Sequence, residues 1–173
     1  MFDKTAVETH TISVLVENEP GVLARVVGLF SGRGYNIESL TVSEVDDRRH
    51  WSRISIVTSG TPMVIEQIKE QLKRQVPVYS VQDLTVMGPH VERELALVKI
   101  VNDGEKRIEA LRVADSFRAR TLDSTLESFV FEVTGSSSKV TAFIKLMQSL
   151  GTTEIARTGV SAISRGSDID LPA

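Results

Sequence analysis

The sequence predicts an α+β fold made of two consecutive βαββαβ units. Three observations carry this. Apolar residues alternate over short runs, as in Ile12-x-Val14-x-Val16 and Phe129-x-Phe131-x-Val133, which is the period of a strand with one buried face. Between such runs stand stripes at i, i+3, i+4 and i+7, namely Leu23, Val26, Val27, Phe30 and then Ala110, Val113, Ala114, Phe117, the spacing of an amphipathic helix. The order strand, helix, strand, strand, helix, strand occurs once before the turn-rich stretch Met87-Gly88-Pro89-His90 and again after it.

Taken in order, residues 11–17 form the first strand, with Ile12, Val14 and Val16 on one face and Ser13, Leu15 and Glu17 on the other. Asn18-Glu19-Pro20-Gly21 stops it. A helix over 22–33 follows and ends at Gly34, which suits a left-handed cap. Residues 37–44 and 53–58 are strands around the polar tip Asp46-Asp47-Arg48-Arg49-His50. Pro62 suits the first turn of a second helix whose inner stripe is Ile65, Ile68 and Leu72. Residues 76–84 give a last short strand, and Pro77 confines it to an edge or makes it a strand start.

The second unit opens with a strand over 95–101 and a turn at Asn102-Asp103-Gly104. The helix around Ala110 comes next, then a weak strand near 121–123 and the strand containing Phe129, Phe131 and Val133. Val140, Phe143, Ile144 and Met147 mark its last helix, and residues 155–164 close the second sheet. The units are placed at 9–84 and 94–166, joined near 85–93. The polar tail 165–173, with Pro172 near its end, is expected to fray.

Composition limits the chemistry. The 173 residues contain no cysteine, so disulfides, cysteine-held metals and thiol nucleophiles are excluded. Lys and Arg total 20 against 23 Asp and Glu, a net charge of −3, which argues against nucleic acid as a partner. No stretch approaches the ~20 apolar residues of a membrane span, and a cytoplasmic protein without a membrane partner is expected. His10, His50 and His90 form no i, i+4 pair and no carboxylates cluster at ligand spacing, so no metal site is assigned and the histidines read as solvated. Gly32-x-Gly34 follows a helix, whereas a dinucleotide loop follows a strand. Glu92-Arg93-Glu94 and Asp46-Asp47-Arg48-Arg49 read as solvated charge runs. No serine sits in a hydrolase-type glycine elbow and no thiamine, flavin or phosphate motif occurs. No catalytic residue is therefore assigned.

The segment most suited to binding is Glu17-Asn18-Glu19-Pro20-Gly21-Val22-Leu23, between the first strand and the first helix. A helix start presents unpaired N–H groups and a partial positive charge, which suits a carboxylate. Gly21 leaves the approach clear, and Asn18 offers both a donor and an acceptor beside it. Asn36 stands just past the far end of the same helix. The aliphatic side chains within reach, Val16, Leu23, Ile37 and Val42, favour a branched aliphatic ligand. Pro-Gly before a helix is also ordinary punctuation, and the residues alone leave capping and binding both open.

The run HTISVLVENEPGVLARVVGLFSGRGYNIESLTV, residues 10–42, resembles the ACT domain of the small regulatory subunit of acetolactate synthase (acetohydroxyacid synthase). Trp51-Ser52-Arg53-Ile54, Arg93 to Lys99, and Arg157-Thr158-Gly159 through Ser164-Arg165-Gly166 also resemble blocks of that family, so the likeness covers nearly the whole chain. One departure is Thr152 after Gly151, where the family more often has an apolar residue. The resemblance implies two ferredoxin-like domains, the first an ACT domain. It implies a homodimer in which ACT domains pair side by side and hold valine at the interface, with the carboxylate on the backbone at Gly21, Val22 and Leu23. Asn18 of one protomer and Asn36, with Ile37, of the other would fix the ligand, and Val16 and Val42 would line the pocket. It further implies a subunit with no active site of its own, which raises the activity of a catalytic large subunit and makes it sensitive to valine in branched-chain amino-acid biosynthesis. Thiamine diphosphate, magnesium and FAD would reside on that large subunit. Two rival readings are an ACT-type amino-acid-binding module controlling a different enzyme, and a ferredoxin-like enzyme whose site residues are unrecognised.

Overall fold

A computed structural model describes residues 6–172. The chain divides into two units: one runs to Val91 and resumes at Val160, and the other is Glu92–Gly159.

In the first unit, β1 (Glu8–Glu17), β2 (Ser39–Asp46), β3 (Trp51–Gly60) and β4 (Val78–Asp83) form an antiparallel sheet of order β2-β3-β1-β4. The two helices, α1 (Val22–Arg33) and α2 (Pro62–Lys73), cover one face. Val22, Val26 and Phe30 of α1 and Ile65, Ile68 and Leu72 of α2 close over Ile12, Val14, Val16, Ile54 and Ile56. Gly34 ends α1 in the left-handed region at φ 70°, while the Tyr35 amide reaches back to the Phe30 carbonyl at 3.0 Å. Thr61 caps α2 by accepting from the Val64 amide, and Pro62 sits in the first turn as its fixed φ favours.

The opposite face of this sheet is not bare. Ser13 and Leu15 point away from the helices and are nonetheless fully buried. Arg53, directly opposite Leu15 on β3, bonds the Asp170 carboxylate at 2.9 Å, and the tail thereby lies against this face. The sequence suggests a fraying tail, but an Asp placed beside a largely buried guanidinium holds it down. The short helix α3 (Leu84–Met87) follows β4.

The second unit repeats the topology with β5 (His90–Val101), α4 (Gly104–Ser116), β6 (Arg120–Ser124), β7 (Ser128–Gly135), α5 (Ser137–Leu150) and β8 (Thr152–Arg157), in sheet order β6-β7-β5-β8. Its core joins Ala96, Val98, Ile100, Phe129, Phe131 and Val133 to Ala110 and Ala114 of α4 and to Val140, Phe143 and Met147 of α5. Thr152 is exposed, so its hydroxyl meets water there. The sequence suggests one closing strand over 155–164; instead the chain breaks at Gly159, which takes φ 84°. The separate strand β9 (Ser161–Ser164) belongs to the first unit, where Val160 and Ala162 pack on Leu84.

Candidate functional site

The start of α1 is defined by what it lacks. Gly21 occupies the cap position at φ 86° and no side chain caps the helix, a lack shared with α4, whereas α2 is capped by Thr61 and α5 by Ser136. The Val22 amide turns back to the Glu19 carbonyl at 3.3 Å and the Arg25 amide to Gly21 at 3.0 Å. Among the described residues the Leu23 and Ala24 amides have no partner, so two donors of the first turn stay open. The loop that presents them is pinned, with the Glu17 amide on the Pro77 carbonyl at 3.1 Å and the Asn18 amide on the His50 carbonyl at 2.6 Å. Nothing lies within 4 Å of where a Gly21 Cβ would stand, so the glycine serves its positive φ and leaves the helix start accessible. The arrangement can receive a small anion.

The other sequence-predicted residues are placed less evenly around it. Asn18 and Asn36 are both exposed, and Ile37 is half-buried. They stand at opposite ends of a helix of 12 residues, about 18 Å at 1.5 Å per residue, so one chain cannot bring its own two asparagines onto one amino acid. Leu23 and Val42 are 42% and 40% exposed, an apolar pair left open. Val42 points to the helix side of edge strand β2, level with Val14 across the sheet. Val16 is different: at 1% exposure on central strand β1 it is part of the core. Of the residues proposed as lining, it is the one that a surface ligand does not reach.

Sequence reasoning missed two buried polar groups, His10 and Glu94. His10 is 5% exposed, with Nδ1 at 2.9 Å from Asp83, and is not a solvated histidine. Glu94 is 4% exposed, not part of a solvated charge run, because Arg157 grips it. In each case the signal is a complementary residue 63 to 73 positions away, which no local pattern reveals. Among the described residues no group of three or more His, Asp or Glu is placed to hold a metal, and no helix is long and apolar enough to cross a membrane.

Residues 12–80 match the model of the acetohydroxyacid synthase small-subunit-like ACT domain, and residues 93–166 match that of the small subunit of acetolactate synthase. A "Probable acetolactate synthase small subunit" of Archaeoglobus fulgidus is 49% identical over 157 residues, covering 91% of this chain and 97% of its own length. This chain belongs to the acetolactate synthase small-subunit family. The acetolactate synthase isozyme 3 small subunit of Escherichia coli K12 is 46% identical over 91% of this chain and 96% of its own. The crystal structure of the acetolactate synthase small subunit of Thermotoga maritima superimposes with a TM-score of 0.83 at 39% identity, covering 93% of this chain and 99% of that one. Membership in this family accounts for the segments 18–23 and 33–40, which lie at the two ends of α1.

Proposed function

We propose that this chain is a non-catalytic regulatory subunit of acetolactate synthase that binds valine at the start of α1, between two copies of itself. The observation that carries the reading is the open first turn of α1, with Leu23 exposed in that turn, Val42 exposed on the helix side of edge strand β2, and Asn18 and Asn36 at opposite ends of the helix. Side-by-side pairing about a two-fold axis would run α1 of one protomer against α1 of the other. Asn18 of one copy would then meet Asn36 and Ile37 of the second copy, and two equivalent sites would form. The valine carboxylate would rest on the backbone around Gly21, Val22 and Leu23, taking the open Leu23 amide and drawing that of Val22 from its long bond to the Glu19 carbonyl, its ammonium on asparagine side-chain oxygens, and its isopropyl group against Leu23, Ile37 and Val42.

Regulation follows if valine binds more tightly to the pairing geometry that supports less activity, since a ligand shifts an equilibrium only by its differential affinity. A ligand held by two protomers senses their relative placement, which is what makes this position a lever. In this reading the partner is the catalytic large subunit, which carries thiamine diphosphate, magnesium and FAD. The pathway is branched-chain amino-acid biosynthesis, the setting is the cytoplasm, and neither nucleic acid nor membrane is a partner.

The test is to mix the purified chain with an acetolactate synthase catalytic subunit and assay with and without valine. Higher activity that valine suppresses is expected. Unchanged activity and unchanged valine response would overturn the reading, and turnover by the small chain alone would reassign it as an enzyme.

A further inference from the structure

The C-terminal segment after β9 occupies a site built for a carboxylate. Arg53 Nη1 donates to Asp170 Oδ2 at 2.9 Å, and Ser80 donates to Oδ1 at 2.7 Å. Arg53 Nη1 also meets Ser13 Oγ at 2.8 Å, and its Nη2 donates to the Asp170 carbonyl at 2.7 Å. These partners come from β3, β1 and β4, three neighbouring strands of one sheet, so the sheet fixes the backbone that carries the cradle. One residue pair further on, Arg49 donates to the Pro172 carbonyl at 2.8 Å.

The segment itself contributes little apolar grip. Ile169 is 79% exposed and Leu171 42%, while the side chains of Arg53 and Asp170 are only 18% and 12% exposed. A cavity of about 310 Å³ remains between strap and sheet, lined among others by Arg53, Leu84, Ile163 and Leu171. The tail is thus held by polar contacts, those of the Asp170 carboxylate and of the Asp170 and Pro172 carbonyls, over an imperfectly filled space. If Asp170 left, the largely buried guanidinium would keep Ser13 and lose its counter-charge, a state that favours capture of another carboxylate.

We propose that Arg53, Ser13 and Ser80 form a carboxylate receptor for an acidic, extended segment of a partner protein, and that residues 168–172 are a built-in strap that occupies the receptor until displaced. The tethered strap competes at the high effective concentration of an intramolecular ligand, so an incoming segment binds only when it outcompetes Asp170 or when Asp170 is neutralised.

The experiment uses the full-length chain and a fluorescent peptide of its own residues 166–172 as the probe. In the Asp170→Asn chain the peptide should bind roughly ten-fold or more tightly than to the wild type, because the tethered competitor is weakened. Adding Arg53→Gln to that variant should abolish binding, and adding Ser80→Ala, a milder change, should weaken it several-fold. Equal binding to the wild-type and Asp170→Asn chains, no binding to Asp170→Asn, or binding indifferent to Arg53 would each overturn the receptor. Backbone 15N relaxation tests the strap separately: residues 169–171 should be as ordered as the sheet in the wild type, where the Asp170 carboxylate and carbonyl are held by Arg53 and Ser80, and become mobile in Asp170→Asn. A mobile wild-type segment would overturn the strap.

Discussion

Arg157 on β8 grips the buried carboxylate of Glu94 on β5 with two hydrogen bonds, Nε to Oε1 at 2.6 Å and Nη2 to Oε2 at 2.8 Å. This bidentate geometry matches the planar guanidinium to both carboxylate oxygens, and the hydrogen bond to Glu94 holds Arg157 protonated more firmly than usual. Arg157 is about one-third exposed and Glu94 almost fully buried, so the two halves of the pair are not equivalent. Arg157→Met should cost about 3–5 kcal/mol, the penalty of a buried carboxylate left without its partner. Glu94→Gln should cost less, since the amide oxygen still accepts from Arg157. Urea unfolding of both variants checks this, and the reverse order would show that burial of Glu94 does not set the cost.

Gly151, between α5 and β8, is a packing requirement. Its φ of 177° is open to any residue, but an added Cβ would collide with the Val101 carbonyl and crowd Asn102 and Ile100. Backbone cannot yield as a flexible side chain can. Gly151→Ala should therefore lower stability by about 1–3 kcal/mol, the usual cost of overpacking. By contrast the clash at Gly135 is with the flexible Lys139 side chain, and Gly135→Ala should be much milder. Thermal melts of the two variants side by side test the distinction.

What could be read from the sequence was whatever lies within a few residues of itself. The stripe Val26, Phe30 and the stop at Gly34 define α1, and Pro62 after Thr61 defines the start of α2, because helices are set by local spacing and local caps. The alternation in Phe129, Phe131 and Val133 likewise exposes one face of β7. Contacts between distant residues were not legible. Asp170 finds Arg53 across 117 positions, so the tail looked free, and β9 looked like a continuation of β8 until Gly159 turned the chain away. The glycine and the two asparagines around α1 were visible as residue types. The alternation puts Val16 on the same face as Ile12 and Val14, and its burial at 1% exposure decides between core and pocket lining; the 12-residue helix sets how far apart one chain's asparagines stand.

Lys99 and Glu154 sit opposite each other on β5 and β8, with Nζ at 2.5 Å from the carboxylate. The hydrogen bond from Lys99, and then its charge, hold Glu154 below the ordinary carboxylate range. A lowered folded-state pKa gives stabilisation that is present above the ordinary range and lost as pH falls through the lowered value. Both side chains are well exposed, so water screens the pair and its net contribution is small. In Lys99→Met, the Glu154 midpoint followed by carboxyl NMR should rise toward the ordinary range, while the urea midpoint at neutral pH stays nearly unchanged. A midpoint that does not move would show that the contact is not populated in solution.

The placement of Asn18 and Asn36 at opposite ends of α1 makes the two-chain site testable without a partner enzyme. Gly21→Asp should abolish valine binding in calorimetry, since a carboxylate at the helix start would occupy the open amides and repel that of the ligand. That variant also places a side chain at φ 86°, so its melting temperature must be measured alongside. The cleaner test uses Asn18→Ala and Asn36→Ala, both at exposed positions where truncation should leave the fold intact. Each variant alone should lose most valine affinity, because both sites of its homodimer lack one asparagine. When the two are mixed and allowed to exchange subunits, a mixed dimer carries one site with both asparagines mutated and one with both intact. About half the dimers are mixed under random exchange, so about a quarter of the sites should regain wild-type affinity, given two equivalent sites per two-fold dimer. If each site were instead built within a single chain, mixing would restore nothing.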